Sequence, residues 1–356
     1  MKRRFFTVFA ALAAALMPAG CAKFDLVPAA PSKAAEIEQG LRTAAGRMSR
    51  EQENRILALN PEHVTESDVR NVLAGAPAPR IINIHGGIAP VQRRLTSFAK
   101  FLGGMGYPDR AIRHPGTGDY TISCYEDAEM FAGIIAWYYE HEGMRPMILG
   151  HSQGCMQAVK VLQLYAGQSA KSLAVWNPLT WKPEERTEIT DPLTGKKRAV
   201  VGLSVSYIAA LGGGGAGRLL PNQWDIMFSL RSIPDTVDEF TGFYLSMDVL
   251  GGDYLGYGPA NHYHALGSAK VRNVQLPAHS LRTHAFTPQI ERLLSNPRAI
   301  EWINNYVPSS NPAEPQDIEN PEGIIFGADV WKSVKRHWVI ELQRLIRARR
   351  AQPHGR

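Results

Sequence analysis

A serine flanked by glycines is the residue of this sequence best suited to nucleophilic chemistry. Ser152 lies at the centre of the run Gly-His-Ser-Gln-Gly at 150–154. An apolar segment at 146–149 precedes this run, and a helix-forming segment at 156–165 follows it. A nucleophile on a sharp strand-to-helix turn has strained backbone angles, and neighbours without a Cβ let strand and helix approach closely. The pattern therefore predicts such a turn at Ser152, the alternative being a serine that only caps a helix.

A second glycine-rich turn comes earlier in the chain. The apolar strand predicted at 80–84 ends in the run His-Gly-Gly-Ile at 85–88. Backbone N–H groups of such a loop can bind the oxyanion that forms on an attacked carbonyl group. Gly87 or Ile88 would supply one N–H, and Gln153, directly after the serine, would supply the other.

These two turns together resemble those of the α/β-hydrolase superfamily, and in particular its lipases and esterases. The resemblance covers roughly residues 80–306 and implies a doubly wound, mostly parallel α/β sheet. It also implies a triad with Ser152 as nucleophile and an oxyanion hole formed by Gln153 and Gly87. In this family the acid and then the histidine follow the serine, on loops after late strands.

Two histidines follow the apolar strand predicted at 271–276, and either could be the base. His284 is favoured because its loop is long enough to reach back over the strand ends, and because a helix starts shortly after it. His279 is the alternative. His151, beside the serine, is expected to point away from the site as a packing residue.

Asp248 directly follows the strand predicted at 242–246 and is favoured as the acid. Asp253 lies further along the same loop and is the alternative, although the adjacent glycines also suit it to a turn. His262 and His264 could join Asp253 as metal ligands, but the sequence has no His-Glu-x-x-His motif and no Cys/His cluster. We therefore predict neither a metal ion nor a cofactor.

Apolar and helix-forming segments alternate from residue 80 onward, which predicts parallel strands joined by right-handed helical crossovers. The predicted strands are 80–84, 111–113, 146–149, 173–176, 242–246 and 271–276, and the predicted helices are 91–102, 126–139, 156–165 and 288–306. A hairpin at 187–201 and a glycine run at 212–215 interrupt this alternation. We interpret the interruption as an inserted cap, with the glycines as its hinge or as a lid loop.

The chain therefore divides into segments of different roles. These are a signal peptide at 1–20, a tether with helices at 21–79, an α/β core at 80–177 and 241–310, the cap at 178–240, and a C-terminal extension with a basic helix at 311–356. The cap contains apolar residues suited to cover an acyl chain, namely Tyr207, Ile208, Leu219, Leu220, Trp224, Met227 and Phe228.

Residues 1–20 resemble a bacterial lipoprotein signal peptide. Three basic residues precede a short apolar run at 5–17, and small residues then lead to Cys21, which is lipidated in that family. Pro18 departs from the leucine that is usual there, so an ordinary secretory signal is the alternative. Ala22, rather than aspartate, implies the outer membrane. We expect a cell-envelope lipoprotein that faces the periplasm or the cell surface.

Charge and cysteine content restrict the function classes further. The net charge is +6, and the chain after residue 20 retains +3 because residues 1–20 carry three basic residues and no acid. Most of the excess lies in the C-terminal helix, which favours a solvated helix face over a contact with anionic lipid head groups. No nucleic-acid-binding motif is present. Cys124 and Cys155 could form a disulfide or remain buried thiols.

These features predict a serine hydrolase that cleaves carboxylic esters, including lipid esters, through a Ser-His-Asp triad and an acyl-enzyme. Two alternatives remain open. One is a catalytically inert, hydrolase-like envelope lipoprotein with a binding role, and the other is an amidase or thioesterase that uses the same triad. The sequence does not indicate an oligomeric state.

Overall fold

Six parallel strands form the central sheet of the computed structural model. The structure describes residues 28–45, 48–87, 89–168, 171–214, 221–226, 228–245, 248, 262–277 and 283–352. The strands are β1 (Ile81–His85), β2 (Ile122–Ser123), β3 (Met147–His151), β4 (Val205–Leu211), β5 (Val237–Leu245) and β6 (Lys270–Leu276). Their spatial order is β2-β1-β3-β4-β5-β6, and each neighbouring pair is parallel. The order reverses between β1 and β3, and ligands of open α/β sheets bind at the carboxyl ends of the strands beside such a switch point.

Helices cover both faces of this sheet, because the crossovers between parallel strands place helices there. The strands of a parallel sheet are therefore buried on both sides. The helices are α1 (Pro31–Ala45), α2 (Arg50–Leu57), α3 (Ala89–Gly104), α4 (Ala128–Glu142), α5 (Gln153–Tyr165), α6 (Thr283–Phe286), α7 (Pro297–Asn304) and α8 (Pro321–Ala351). α4 and α5 pack on one face, together with Ile82 and Ile84 of β1. α3, α7 and α8 pack on the other face, which Ile81 joins. The predicted doubly wound α/β architecture is therefore confirmed.

Shorter elements connect these layers. Antiparallel ribbons pair Trp176–Asn177 with Lys182–Pro183 and Glu188–Thr190 with Lys197–Ala199, and a parallel pair joins Ser232–Ile233 to His264–Ala265. A one-turn helix at Glu66–Asp68 continues into a wider turn at Val69–Leu73, and 3₁₀ turns lie at Pro61–His63, Asp109–Ala111, Pro221–Ile226 and Glu291–Ser295. The second ribbon confirms the hairpin predicted at 187–201.

The predicted extent of the cap, 178–240, is wrong because β4 lies within it. All seven residues of β4 are buried, and the strand pairs with β3 and β5 in the interior of the sheet. A strand that is buried on both faces reads as an apolar run without alternation, and this run is assigned to the cap because it follows the hairpin. Tyr207 and Ile208, two of the residues expected to line the cap, belong to this strand.

Three other predicted elements differ from the structure. The apolar segment 173–176 is buried against α4 outside the main sheet. The segment 111–113 ends a 3₁₀ turn, and the edge strand is β2 instead. The helix predicted at 288–306 is a 3₁₀ turn followed by α7. Asn296 caps α7 and Pro297 starts it, and both residue types favour a new helix start.

The C-terminal helix forms part of the core, which corrects the expectation of a solvated basic face. α8 runs for 31 residues and buries Trp338 completely. Its charged residues pair with other elements. Glu341 accepts the backbone N–H of Arg145 at 2.8 Å and the guanidinium of the same residue at 2.6 Å. Arg350 donates to Glu53 of α2 at 2.7 Å.

The N-terminal helices dock on the core. The N–H of Ala29 donates to the carbonyl of Leu179 at 3.0 Å, and Ala34 of α1 joins the cluster that covers α4. The predicted signal peptide and Cys21 lie outside the described residues. Among the residues that the structure describes, no helix is both long enough and apolar enough to cross a membrane.

Glu341→Gln tests the contribution of the buried ion pair under α8. We expect the free energy of unfolding to fall by about 3 kcal/mol, because the buried guanidinium of Arg145 loses a carboxylate partner. Glu319→Gln is the control, since that side chain is 90% exposed and lies 3.7 Å from Arg292; it should leave the stability unchanged. Urea unfolding measures both, and equal effects would contradict the prediction.

Candidate active site

Ser152 occupies the turn between β3 and α5, as the glycine spacing predicts. Its backbone φ of 55° and ψ of −122° lie in a region that non-glycine residues seldom adopt. Its N–H donates to the carbonyl of Leu211 at 2.9 Å, and its C=O accepts the N–H of Cys155 at 3.0 Å. A Cβ on Gly154 would lie 2.0 Å from the carbonyl oxygen of Ile84. Glycine is therefore required for this approach of helix to strand.

The loop after β1 lies beside this turn. Gly87 faces Gln153, since a Cβ on Gly87 would lie 3.4 Å from Gln153 Oε1. The hydroxyl of Tyr125 donates to the carbonyl of Gly87 at 3.3 Å. Gln153 is also the first residue of α5, where backbone N–H groups have no acceptor within the helix. The two residues predicted as oxyanion donors are therefore neighbours, while Ile88 lies outside the described residues.

Asp248 and His284 form a buried pair. The Nδ1–H of His284 donates to Asp248 Oδ2 at 2.5 Å, and the two side chains are only 2–3% exposed. Asp248 follows β5, and His284 lies on α6, after β6. A carboxylate at Nδ1 fixes the proton there and leaves Nε2 as the basic atom of the ring. The structure thus joins the favoured acid and the favoured base, whereas Asp253 and His279 lie outside the described residues.

His284 lies next to the serine turn. A Cβ on Gly212 would lie 2.9 Å from the ring atoms Cε1 and Nδ1, and Gly212 follows Leu211, the residue that binds the N–H of Ser152. The carbonyl oxygen of His284 lies 2.8 Å from Nε2 of His151. The half-buried Ser152 hydroxyl has no hydrogen-bond partner among the described residues. Contacts between nucleophile and base are often long without substrate and shorten when it binds.

Gly212, His151 and Tyr125 lie at the site, although none of the three is predicted as part of it. The expectation of a cap hinge at 212–215 is wrong for Gly212, which has a φ of 61° and directly follows β4. The expectation that His151 points away from the site is also wrong. A signal for Gly212 was available, because the glycine run follows an apolar segment just as the run at 85–88 follows β1.

Both cysteines are buried free thiols, which decides against a disulfide. Cys155 Sγ donates to the carbonyls of Gly150 and Leu211 at 3.1 and 3.3 Å. Burial raises the pKa of this thiol well above its ordinary range. Cys124 Sγ donates to Gln153 Oε1 at 3.5 Å. The Cys155 thiol therefore packs beneath the serine turn in its neutral form, and Cys124 is buried beside Gln153.

The histidines that could have bound a metal ion have other partners. His264 Nε2 lies 3.2 Å from the hydroxyl of Ser232, and the ring of His262 lies 5.9 Å from that of Tyr244. Within the described part of the chain, no group of three or more His, Cys, Asp or Glu side chains is arranged to hold a metal ion.

A cavity of about 450 Å³ opens beside α5, and its lining includes Tyr125, whose hydroxyl donates to the carbonyl of Gly87. Gln157, one turn beyond Gln153, lines it together with Lys160, which pairs with Asp225 at 3.0 Å. Cavities of this size bind small ligands in other proteins. The polar residues in its wall suit a ligand that carries polar groups.

Gly212→Ala tests whether the Asp248–His284 pair rests on this glycine. The new Cβ would lie 2.9 Å from the imidazole and 3.2 Å from Asp248 Oδ2. Gly195→Ala is the matched control, because Gly195 has a φ of 70° and no atom lies within 4 Å of the position that its Cβ would take. We expect the control to cost about 1 kcal/mol of stability for the backbone angle, and Gly212→Ala to cost about 1–3 kcal/mol more. Equal losses in urea unfolding would contradict the prediction.

Comparisons with known proteins add little to this geometry. No family model matches the chain, and no curated protein matches it. Among solved structures, it is similar to lipase B of Aspergillus fumigatus with a TM-score of 0.35 and 12% identity, over 74% of this chain and 63% of the lipase. The chain thus spans less than two thirds of the lipase, and a similarity this low carries no argument about activity. The strand order and the turn after β3 are consistent with an α/β-hydrolase fold.

Proposed function

We propose that the chain is a serine hydrolase that cleaves carboxylic esters. Ser152 is the nucleophile, His284 the general base and Asp248 the acid that orients it. The buried hydrogen bond between Asp248 and His284, beside the strained serine turn, is the observation that carries this proposal. Strain at a non-glycine residue and a buried histidine–carboxylate pair both cost free energy, and such costs concentrate at functional sites.

The acylation step follows from this assignment. Ser152 Oγ attacks the carbonyl carbon of the ester while Nε2 of His284 takes the hydroxyl proton. Asp248 stabilises the imidazolium that results. The negative charge on the carbonyl oxygen is bound by the backbone N–H groups of Gln153 and Gly87. When the intermediate collapses, His284 returns its proton to the departing alkoxide.

Deacylation repeats this sequence with water. His284 Nε2 takes a proton from a water molecule, whose oxygen attacks the acyl-enzyme, and the acid product leaves as Ser152 recovers its proton. The same residues would serve an amide or a thioester. The expectation of a lipid acyl chain loses support from Tyr207 and Ile208, which lie in the sheet. The polar cavity beside α5 is lined by none of the proposed triad residues, so it does not by itself indicate the acyl or alcohol part of the substrate.

Labelling with a fluorophosphonate tests the proposal, because this reagent phosphonylates only an activated serine. We expect the mature protein to be labelled stoichiometrically and Ser152→Ala not at all. His284→Ala and Asp248→Asn should slow labelling by roughly 10³- to 10⁴-fold. Ser310→Ala, at an exposed serine, is the control and should label like the parent. A folded parent protein that stays unlabelled would leave the inert binding protein as the better interpretation.

We also propose that the protein is anchored in the bacterial envelope through Cys21, on the strength of the N-terminal signal alone. When the gene is expressed with radioactive palmitate, the full-length protein should become labelled and Cys21→Ser should not. Cleavage without incorporation of palmitate would indicate an ordinary secretory signal instead.

A further inference from the structure

His151 connects the serine turn to the histidine assigned as base. It is the last residue of β3 and precedes Ser152 directly, and none of its surface is exposed. Its Nε2 lies 2.8 Å from the backbone carbonyl oxygen of His284. A carbonyl oxygen can only accept, so Nε2 carries the proton and donates it.

The hydrogen bond reaches the base at its own backbone. α6, which carries His284, has four residues, so it is a single helical turn and has little rigidity of its own. β3, in contrast, lies in the interior of the sheet between β1 and β4. The His151 bond therefore joins the single helical turn that carries His284 to a strand in the interior of the sheet.

The imidazole of His151 stays neutral. Burial lowers the pKa of His151 to about 3. Its ring centroid lies 4.9 Å from that of His284, so a charged His151 would repel the imidazolium that forms during acyl transfer. Its second nitrogen, Nδ1, is buried and has no hydrogen-bond partner among the described residues. An unpaired buried acceptor costs free energy, and an apolar residue of similar size in its place would avoid that cost.

We propose that His151 is a positioning residue, which holds His284 at the distance from Ser152 that proton transfer requires. This inference rests on the proposed function. Its physical basis is that a displacement of about 1 Å between reacting groups can slow a reaction roughly 100-fold. Any buried histidine needs an acceptor for its N–H, and the acceptor that His151 uses is the backbone of the proposed base itself.

The test compares three substitutions of the same residue. His151→Leu fills the space without a donor, and His151→Gln places an amide N–H near the position of Nε2. His151→Asn carries the same amide on a shorter chain that does not reach His284. We expect the Leu and Asn variants to lower kcat and the rate of fluorophosphonate labelling by about 10- to 100-fold. KM should change little, and the Gln variant should recover most of the rate.

His114→Leu is the matched control. His114 is another buried histidine whose Nε2 donates to a backbone carbonyl, that of Pro178 at 3.0 Å, away from the pair. Its loss should affect stability but not the labelling rate of the folded protein.

The outcomes separate the two proposals. If the parent protein labels at Ser152 and folded His151→Leu labels equally fast, the positioning role is overturned and the hydrolase stands. If His151→Leu does not fold, equal rates for the Gln and Asn variants would overturn it. If the parent protein does not label, the proposed function itself fails.

Discussion

The close approach of β1, β3 and α5 is the constraint on which the rest of the site depends. Gly154 brings the start of α5 against the carbonyl of Ile84, at a distance that leaves no room for a Cβ. The chain must then turn within Ser152 alone, and its φ of 55° follows. Backbone strain of this kind costs roughly 1–3 kcal/mol and persists only when the surrounding packing enforces it. Here the buried strands on either side supply that enforcement.

Parallel strands then bring distant segments to the same edge. Asp248 follows β5 and His284 follows β6, yet both reach back across β4 toward the serine. Gly212 makes this possible, because a residue without a Cβ in the turn after β4 leaves room for the imidazole and the carboxylate. An interior strand thus replaces the insertion expected at this point, and Gly212 at its end contacts the Asp248–His284 pair.

Local features of the site could be predicted from the sequence, whereas long-range contacts could not. The serine turn depends on glycines two residues away, and the choice of Asp248 and His284 depends on chain order after late strands. β4 is missed although its apolar run resembles those of β1 and β3, because it follows the hairpin at 187–201 and is assigned to the same insertion. The contact of His151 with His284 joins residues 133 positions apart, and no spacing rule encodes it. From the sequence alone, the charged residues of α8 predict a solvent-exposed face, because their distant partners, such as Arg145, are not evident from the sequence.

Burial also determines where charge can reside around Ser152. His85 and His151 both lie close to the serine turn, and burial lowers the pKa of each. Both therefore remain neutral at neutral pH, and each donates one N–H to a backbone carbonyl, of Gly86 and of His284 respectively. In the proposed mechanism, His284 of the Asp248–His284 pair is the histidine that takes up the proton of the serine. In a site of low dielectric, a charge that forms on a side chain interacts strongly with the dipoles that face it. Because His85 and His151 are neutral, neither places a positive charge beside the imidazolium that the proposed mechanism forms at His284.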